Sequence, residues 1–159
     1  MNKKALVQHI TRQIAEELAA ITQAAKNTYD IATHEDNKAE NKYDTRGLEA
    51  SYLAGAQAQR VNEMKDVLAI FENLPIKDFG DNRAVATTAL VEVRFKEKVS
   101  FVLVMPKGGG QSAVYEGKPV QVITAESPLG RALIGRHAGD IVELTAGQTK
   151  REYEILSIC

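Results

Sequence analysis

The chain has one cysteine, Cys159, no tryptophan and four prolines in 159 residues. A lone thiol cannot close an internal disulfide, which excludes a disulfide-framed secreted scaffold and leads us to expect a reducing compartment, the cytoplasm. Long apolar runs are missing too. The start, MNKKALVQHITRQ, is basic but meets a polar residue at every second or third place, so the apolar stretch of a signal peptide does not form. No later run approaches the ~20 apolar residues that span a bilayer. Charge of one sign is also lacking: 20 basic against 21 acidic side chains leave −1, and no global field would draw the protein to nucleic acid or a membrane surface. What remains is the composition of a folded protein, 44% hydrophobic, long enough for one ordinary domain or two small ones.

Glycine and proline are absent from residues 1 to 46, and the hydrophobic period there is helical. Leu6, Ile10, Ile14, Leu18, Ile21 and Ala25 form one stripe at steps of three or four; Tyr52, Val61, Met64, Leu68 and Phe71 form a second, which stops at Pro75. Two helices of about thirty residues are each about 45 Å long, too long for a compact bundle of this size, and should lie antiparallel on each other. Setting Leu6 level with Phe71 puts the turn between Glu35 and Asn41, inside THEDNKAENKYD. The expected first domain is therefore an antiparallel coiled-coil hairpin over residues 1–75 with an acidic tip.

After Pro75 the period changes. TTALVEVRF, VSFVLVM, VQVIT, DIVELTA and REYEILSI are β-branched and roughly alternating, with turn signals at Glu97-Lys98, Gly108-Gly109-Gly110, Gly139-Asp140 and Gly147. This predicts a small sheet over residues 76–159, and with the hairpin an α+β protein. In SPLGRALIG, Ser127 can cap a helix, Pro128 suits its first turn and Gly135 can end it, so one short helix should pack on the sheet. The glycine run 108–110 follows Lys107 and leads into a strand, unlike a phosphate-binding loop, in which Gly-Lys-Ser/Thr opens a helix. There is no Gly-x-Ser-x-Gly elbow, and Cys159 at the chain end makes a poor nucleophile. The sequence carries no catalytic centre of its own.

The tip residues allow more than one role. Asn37 can cap the second helix while Glu40 reaches back to its backbone N–H, and Glu35 and Asp36 suit a helix N-terminus. The same carboxylates suit Mg²⁺, a hard ion that takes oxygen ligands. Lys38, Lys42 and Arg46 around them can form a solvated helical face or meet RNA phosphates.

Taken together, the acidic-tipped hairpin, the proline break and SPLGRALIGRHAGDIVEL resemble the bacterial Gre transcript-cleavage factors, transcription elongation factors that bind RNA polymerase. Ser127 to Gly135 with Gly139-Asp140 is similar to the family's S-P-x-x-x-x-L-x-G and G-D signature. Glu40-Asn41 with Tyr43 is similar to its D-x-x-E-N-x-x-Y, although Asn37 stands where that pattern has an aspartate and Tyr43 arrives one residue early. The resemblance implies an FKBP-like fold for the sheet domain and a hairpin that enters the polymerase's secondary channel. There Asp36 and Glu40, with Glu35 as substitute, would help hold a Mg²⁺ shared with the polymerase, whose own active site then cuts backtracked RNA. No metal is expected on the free protein. Lys38, Lys42 and Arg46 would touch the nascent RNA 3′ end, and Ser127, Pro128 and Arg131 would bind the polymerase. The factor would be a monomer, with no membrane partner. The altered tip spacing also suits a relative that occupies the channel and inhibits without cleavage. From the residues alone, an unrelated coiled-coil interaction module or an isomerase also remains open. Against an isomerase, only Phe95, Phe101, Tyr115 and Tyr153 supply aromatic rings in residues 84–158.

Overall fold

A computed structural model describes residues 1–33, 46–79, 83–146 and 149–159. The chain divides into two compact units, one of Thr11–Glu72 and one that joins Met1–Ile10 to Asn73–Cys159.

The first unit is built from most of two long helices, α1 (Lys3–Thr33) and α2 (Arg46–Asn73), the first eight residues of α1 and the last of α2 belonging to the other unit. On α1 the shielded positions include Ile14, Leu18, Ile21, Ala25 and Thr28; on α2 they include Ala54, Gln57, Val61, Met64, Leu68 and Phe71. Their alternating steps of three and four are the narrow seam of a coiled coil. Glu17 Oε1 lies 3.7 Å from Arg60 Nη2. Such an exposed pair contributes little energy, but it fixes the direction of the helices. About 24 Å of helix separate Glu17 from Thr33 and about 21 Å separate Arg46 from Arg60, so only an antiparallel pair lets residues 34–45 join the two ends without strain.

The α2 seam differs from expectation at one place. Tyr52 is 72% exposed. Counting back from Phe71, the seam passes through Gln57 and Ala54, and position 52 then falls about 200° round the helix from Ala54. The large ring misled the reading; the small and polar residues keep the phase.

The second unit holds six strands, β1 (Leu90–Phe95), β2 (Lys98–Val104), β3 (Ser112–Tyr115), β4 (Lys118–Ile123), β5 (Ile141–Ala146) and β6 (Thr149–Ile158), and a short helix α3 (Pro128–Leu133). They form one mixed sheet in the order β3-β4-β2-β1-β6-β5. Only β2 and β4 run parallel; the other neighbours are antiparallel. The β1–β2 turn is at Lys96-Glu97, one residue earlier than expected, with Lys96 at φ 54° and Lys98 already in β2. Gly147 lies outside the described residues.

One face of the sheet carries the core. Val91, Val93, Val102, Val104, Ile123, Val142 and Ile155 pack with Leu133 of α3 in a single buried cluster. Phe101 and Leu103, which alternate with Val102 and Val104, are buried as well, so β2 reads as a continuous apolar run because both of its faces are covered. Lys3, Leu6, Val7 and Ile10 are buried at the start of α1, where the His9 ring stands 5.5 Å from that of Tyr115 on β3.

Candidate functional site

Two regions carry the functional expectations, and the structure describes them unequally. Glu35, Asp36, Glu40, Lys38 and Lys42 lie outside the described residues, as do the capping role weighed for Asn37 and the turn expected between Glu35 and Asn41. Arg46 is the first residue of α2. The described helices end on either side of this segment: α1 closes at Thr33, whose hydroxyl donates to the Tyr29 carbonyl at 2.9 Å, and α2 opens with Glu49 in its first turn. A carboxylate there meets the positive end of the helix dipole. Among the described residues no group of three or more His, Cys, Asp or Glu could hold a metal ion, so the Mg²⁺ expectation rests on residues 35, 36 and 40.

The second region is built around α3. Ser127 is extended (φ −64°, ψ 153°) and caps the helix: its hydroxyl accepts from Gly130 N–H at 3.0 Å and donates to the Thr124 carbonyl at 2.7 Å. That leaves Ser127 half-buried and engaged with its own loop. Gly130 is there because nothing larger fits; a Cβ would stand 1.9 Å from the Thr124 oxygen. Leu133 points into the core and is fully buried. Gly135 takes φ 79°, the left-handed position that ends a helix, and its N–H donates to Val85 O at 2.9 Å. The segment is thus pinned at both ends, and it displays Pro128, Arg131, Ile134 and Arg136 to solvent. Of the three residues singled out for partner binding, Pro128 and Arg131 present accessible surface and Ser127 shapes it.

Sequence reasoning missed a groove on the same face of the sheet. It measures about 300 Å³ and is lined by Val93, Ser100, Val102, Gln121 and Tyr153 of the sheet and by Leu129 of α3. At its end Phe95 and Tyr153 stack with centroids 5.1 Å apart. Lys96 Nζ lies 5.5 Å and Arg151 Cζ 5.9 Å from the Phe95 centroid, so the apolar floor has a basic rim. These residues come from four strands and a helix, and only strand order brings them together.

Residues 81–159 match the family "Transcription elongation factor, GreA/GreB, C-term". The transcription elongation factor GreA of Mesorhizobium japonicum is 33% identical over 116 residues, 69% of each chain. GreA of Clostridium botulinum is 31% identical over 121 residues, 74% of this chain and 68% of the relative. The chain therefore belongs to the GreA/GreB family of transcription elongation factors. Within that class, the transcription inhibitor protein Gfh1 of Thermus aquaticus is 26% identical over 159 residues, 98% of this chain and 93% of the relative. Among solved structures, Gfh1 of Thermus thermophilus is 22% identical and covers 94% of both chains with a TM-score of 0.38. No helix of the described residues is long and apolar enough to cross a membrane.

Proposed function

We propose that this protein binds RNA polymerase in the cytoplasm, as a monomer, and carries its hairpin tip through the secondary channel to stimulate the polymerase's intrinsic cleavage of backtracked RNA. The observation that carries this reading, beside family membership, is the placement of the acidic segment. Two helices of 31 and 28 residues flank it, paired antiparallel along a seam. Helices of that length reach about 45 Å, and the segment they flank carries carboxylates at positions 35, 36 and 40.

The tip residues divide the work. Asp36 and Glu40, with Glu35 in reserve, offer hard oxygen ligands that suit Mg²⁺ held jointly with the polymerase, and a second metal in such a site stabilises the attacking and leaving oxygens. Lys38, Lys42 and Arg46 offer charge to the phosphates of the nascent RNA 3′ end. The factor is not itself a nuclease, because one or two acids complete a site whose remainder belongs to the polymerase. Anchoring falls to the sheet unit, through Pro128 and Arg131 on the surface that Ser127 shapes and through the adjoining groove.

A second reading has a specific observation behind it. Asn37 replaces the aspartate expected three residues before Glu40, and the Thermus aquaticus relative that aligns over nearly the whole chain is a transcription inhibitor. A chain that enters the channel with too few placed carboxylates would block it. One experiment separates the readings: RNA cleavage in purified, halted elongation complexes over a range of Mg²⁺ concentrations. Accelerated cleavage supports the first; polymerase binding with slowed elongation and no cleavage at any Mg²⁺ concentration replaces it with the second.

A further inference from the structure

Lys3 is only 7% exposed, a rare state for a lysine. Its placement is costly in two further ways. It sits in the first turn of α1, beside Lys4 and with no acidic residue there, where the helix dipole repels a cation. Burial also pulls its pKa below the ordinary 10.5, an effect that attraction to Cys159 and Asp78 partly offsets. A lysine that only decorated the start of a helix would turn out to water.

The ammonium is held instead by three residues of the segment that follows α2. It donates to the carbonyl of Lys77 and, at 3.2 Å, to the carbonyl of Thr88, and it stands 4.7 Å from the centre of the Phe79 ring; Asp78 is the residue between. Thr88 is itself unusual: 2% exposed and β-branched, yet at φ 72°. That region is unfavourable for such a side chain and persists only where the surroundings fix it. Each polar group of Thr88 is engaged. Its N–H donates to Val104 O at 2.8 Å, its hydroxyl accepts from Lys77 N at 3.2 Å, and its carbonyl receives Lys3. Thr88 thus ties the 77–88 segment to β2 on one side and to α1 on the other.

We infer that Lys3 is a positioning residue for the factor's action: its ammonium roots the first turn of α1 in the sheet unit by clamping the carbonyls of Lys77 and Thr88. From that root α1 continues without a break to Thr33, the last described residue before the acidic segment. Lys3 touches neither metal nor RNA. It acts through the helix, and a helix that is free at its root delivers its far end less often to the right place.

The functional half of this inference rests on the polymerase reading above, so the test has two arms. In the first, hydrogen exchange by mass spectrometry is measured on the free, full-length Lys3→Met variant. Amides of residues 3–10 and 77–89 should exchange at least about tenfold faster than in wild type, while those of α3, β1 and β6 keep their rates. Unchanged exchange at 3–10 and 77–89 overturns the inference, and so does uniform acceleration across the sheet, which would mark a general packing role. In the second arm, halted elongation complexes are titrated with each protein. The concentration for half-maximal effect should stay within about twofold, while the maximal cleavage or inhibition falls at least about fivefold. Loss of affinity with an unchanged maximum overturns the positioning role. Where the Met variant does not fold, Lys3→Gln, which keeps a donor without the charge, is judged by the same criteria. Wild-type protein with no effect on the complexes removes the polymerase reading alone, and the exchange arm still decides whether Lys3 roots the helix.

Discussion

The same substitution, glycine to alanine, should have opposite effects at two helical positions. At Gly130 an added Cβ would meet the Thr124 carbonyl oxygen at 1.9 Å and the Thr124 carbon and Ser127 Oγ at 2.9 Å. Two of these neighbours are backbone, so α3 itself has to move. Moving it overpacks the loop, at about 1–3 kcal/mol, and pulls the Gly130 N–H from the Ser127 hydroxyl that caps it, at about 0.5–2 kcal/mol. Against this stands the helical preference of alanine over glycine, about 1 kcal/mol. The balance for Gly130→Ala is a loss of roughly 0.5–4 kcal/mol, set mainly by the clash. At Gly55, inside α2, nothing lies within 4 Å of the same added atom, so only the propensity term applies and Gly55→Ala should gain about 0.5–1 kcal/mol. Urea denaturation with two probes reads both, far-UV circular dichroism for the helices and amide exchange for the sheet. For a unit of this size each kcal/mol is worth about 4–8 °C in melting temperature. A Gly130→Ala protein as stable as wild type would refute the claim that the S-P-x-G turn is closed against its own loop. A loss at Gly55 would refute the open helix face.

Other expectations follow from single sites. Gln57 stands in the seam, and its Oε1 is the one buried side-chain oxygen or nitrogen without a partner among the described residues. Gln57→Leu removes that unmet acceptor and should stabilise the hairpin by about 1–3 kcal/mol; a lower urea midpoint would count against the seam assignment. Arg131→Ala should weaken polymerase binding in a pull-down or titration while the melting temperature stays within a few degrees, and unchanged binding would remove Arg131 from the anchoring surface. Asp36→Ala and Glu40→Ala should each slow Mg²⁺-dependent cleavage at least about tenfold, on the order of 1.4 kcal/mol, with binding nearly intact; lost stability with an unchanged rate would favour helix capping instead. Lys3 makes stability depend on pH with a definite sign. Its folded pKa lies below the ordinary 10.5, so between the two values the unfolded chain binds more protons and stability rises with pH. The stability of wild type relative to Lys3→Met should therefore climb as pH approaches 10.5, and a falling difference would contradict the burial of a charged Lys3.

Much of this architecture is legible in one sequence, for reasons that can be named. The seam of α1 is readable because Ile14, Leu18 and Ile21 are large and correctly spaced. On α2 the phase is carried by Ala54 and Gln57, which look like surface residues, while Tyr52 looks like a core residue and is not. The sheet is readable where strands are long and β-branched. β3, four residues beginning with Ser112, shows only as a strand expected after the glycine run. The Ser127 cap and the stop at Gly135 are local devices and can be seen in SPLGRALIG directly. The groove beside Leu129 and the Lys3 clamp are not local. Lys3 reads as part of a basic start until residues 77 and 88 are brought to it, and no spacing in the sequence announces that. The acidic tip is the reverse case, conspicuous in sequence and outside the described residues.

The strand order has a consequence for how the chain is made. β6 lies between β1 and β5, and β1 pairs through its length with residues 153–158. A ribosome releases β1 some sixty residues before its partner, so through that interval β1 is the open edge of whatever part of β3-β4-β2-β1 has formed. The seam of α1 and α2 joins neighbours in sequence and can close early, but Lys3 must wait for residues 77 and 88, and residues 77–88 wait on β2. The part synthesised first therefore cannot settle until about a hundred residues have followed it. Contacts of such long sequence separation make folding slow, and the half-built sheet, with the apolar run Phe101–Val104 at its centre, is the state most exposed to aggregation and to chaperones. A nascent-chain truncation series, probed by protease resistance, should show the hairpin protected well before the sheet, with resistance of the first ten residues appearing only after β2 has emerged.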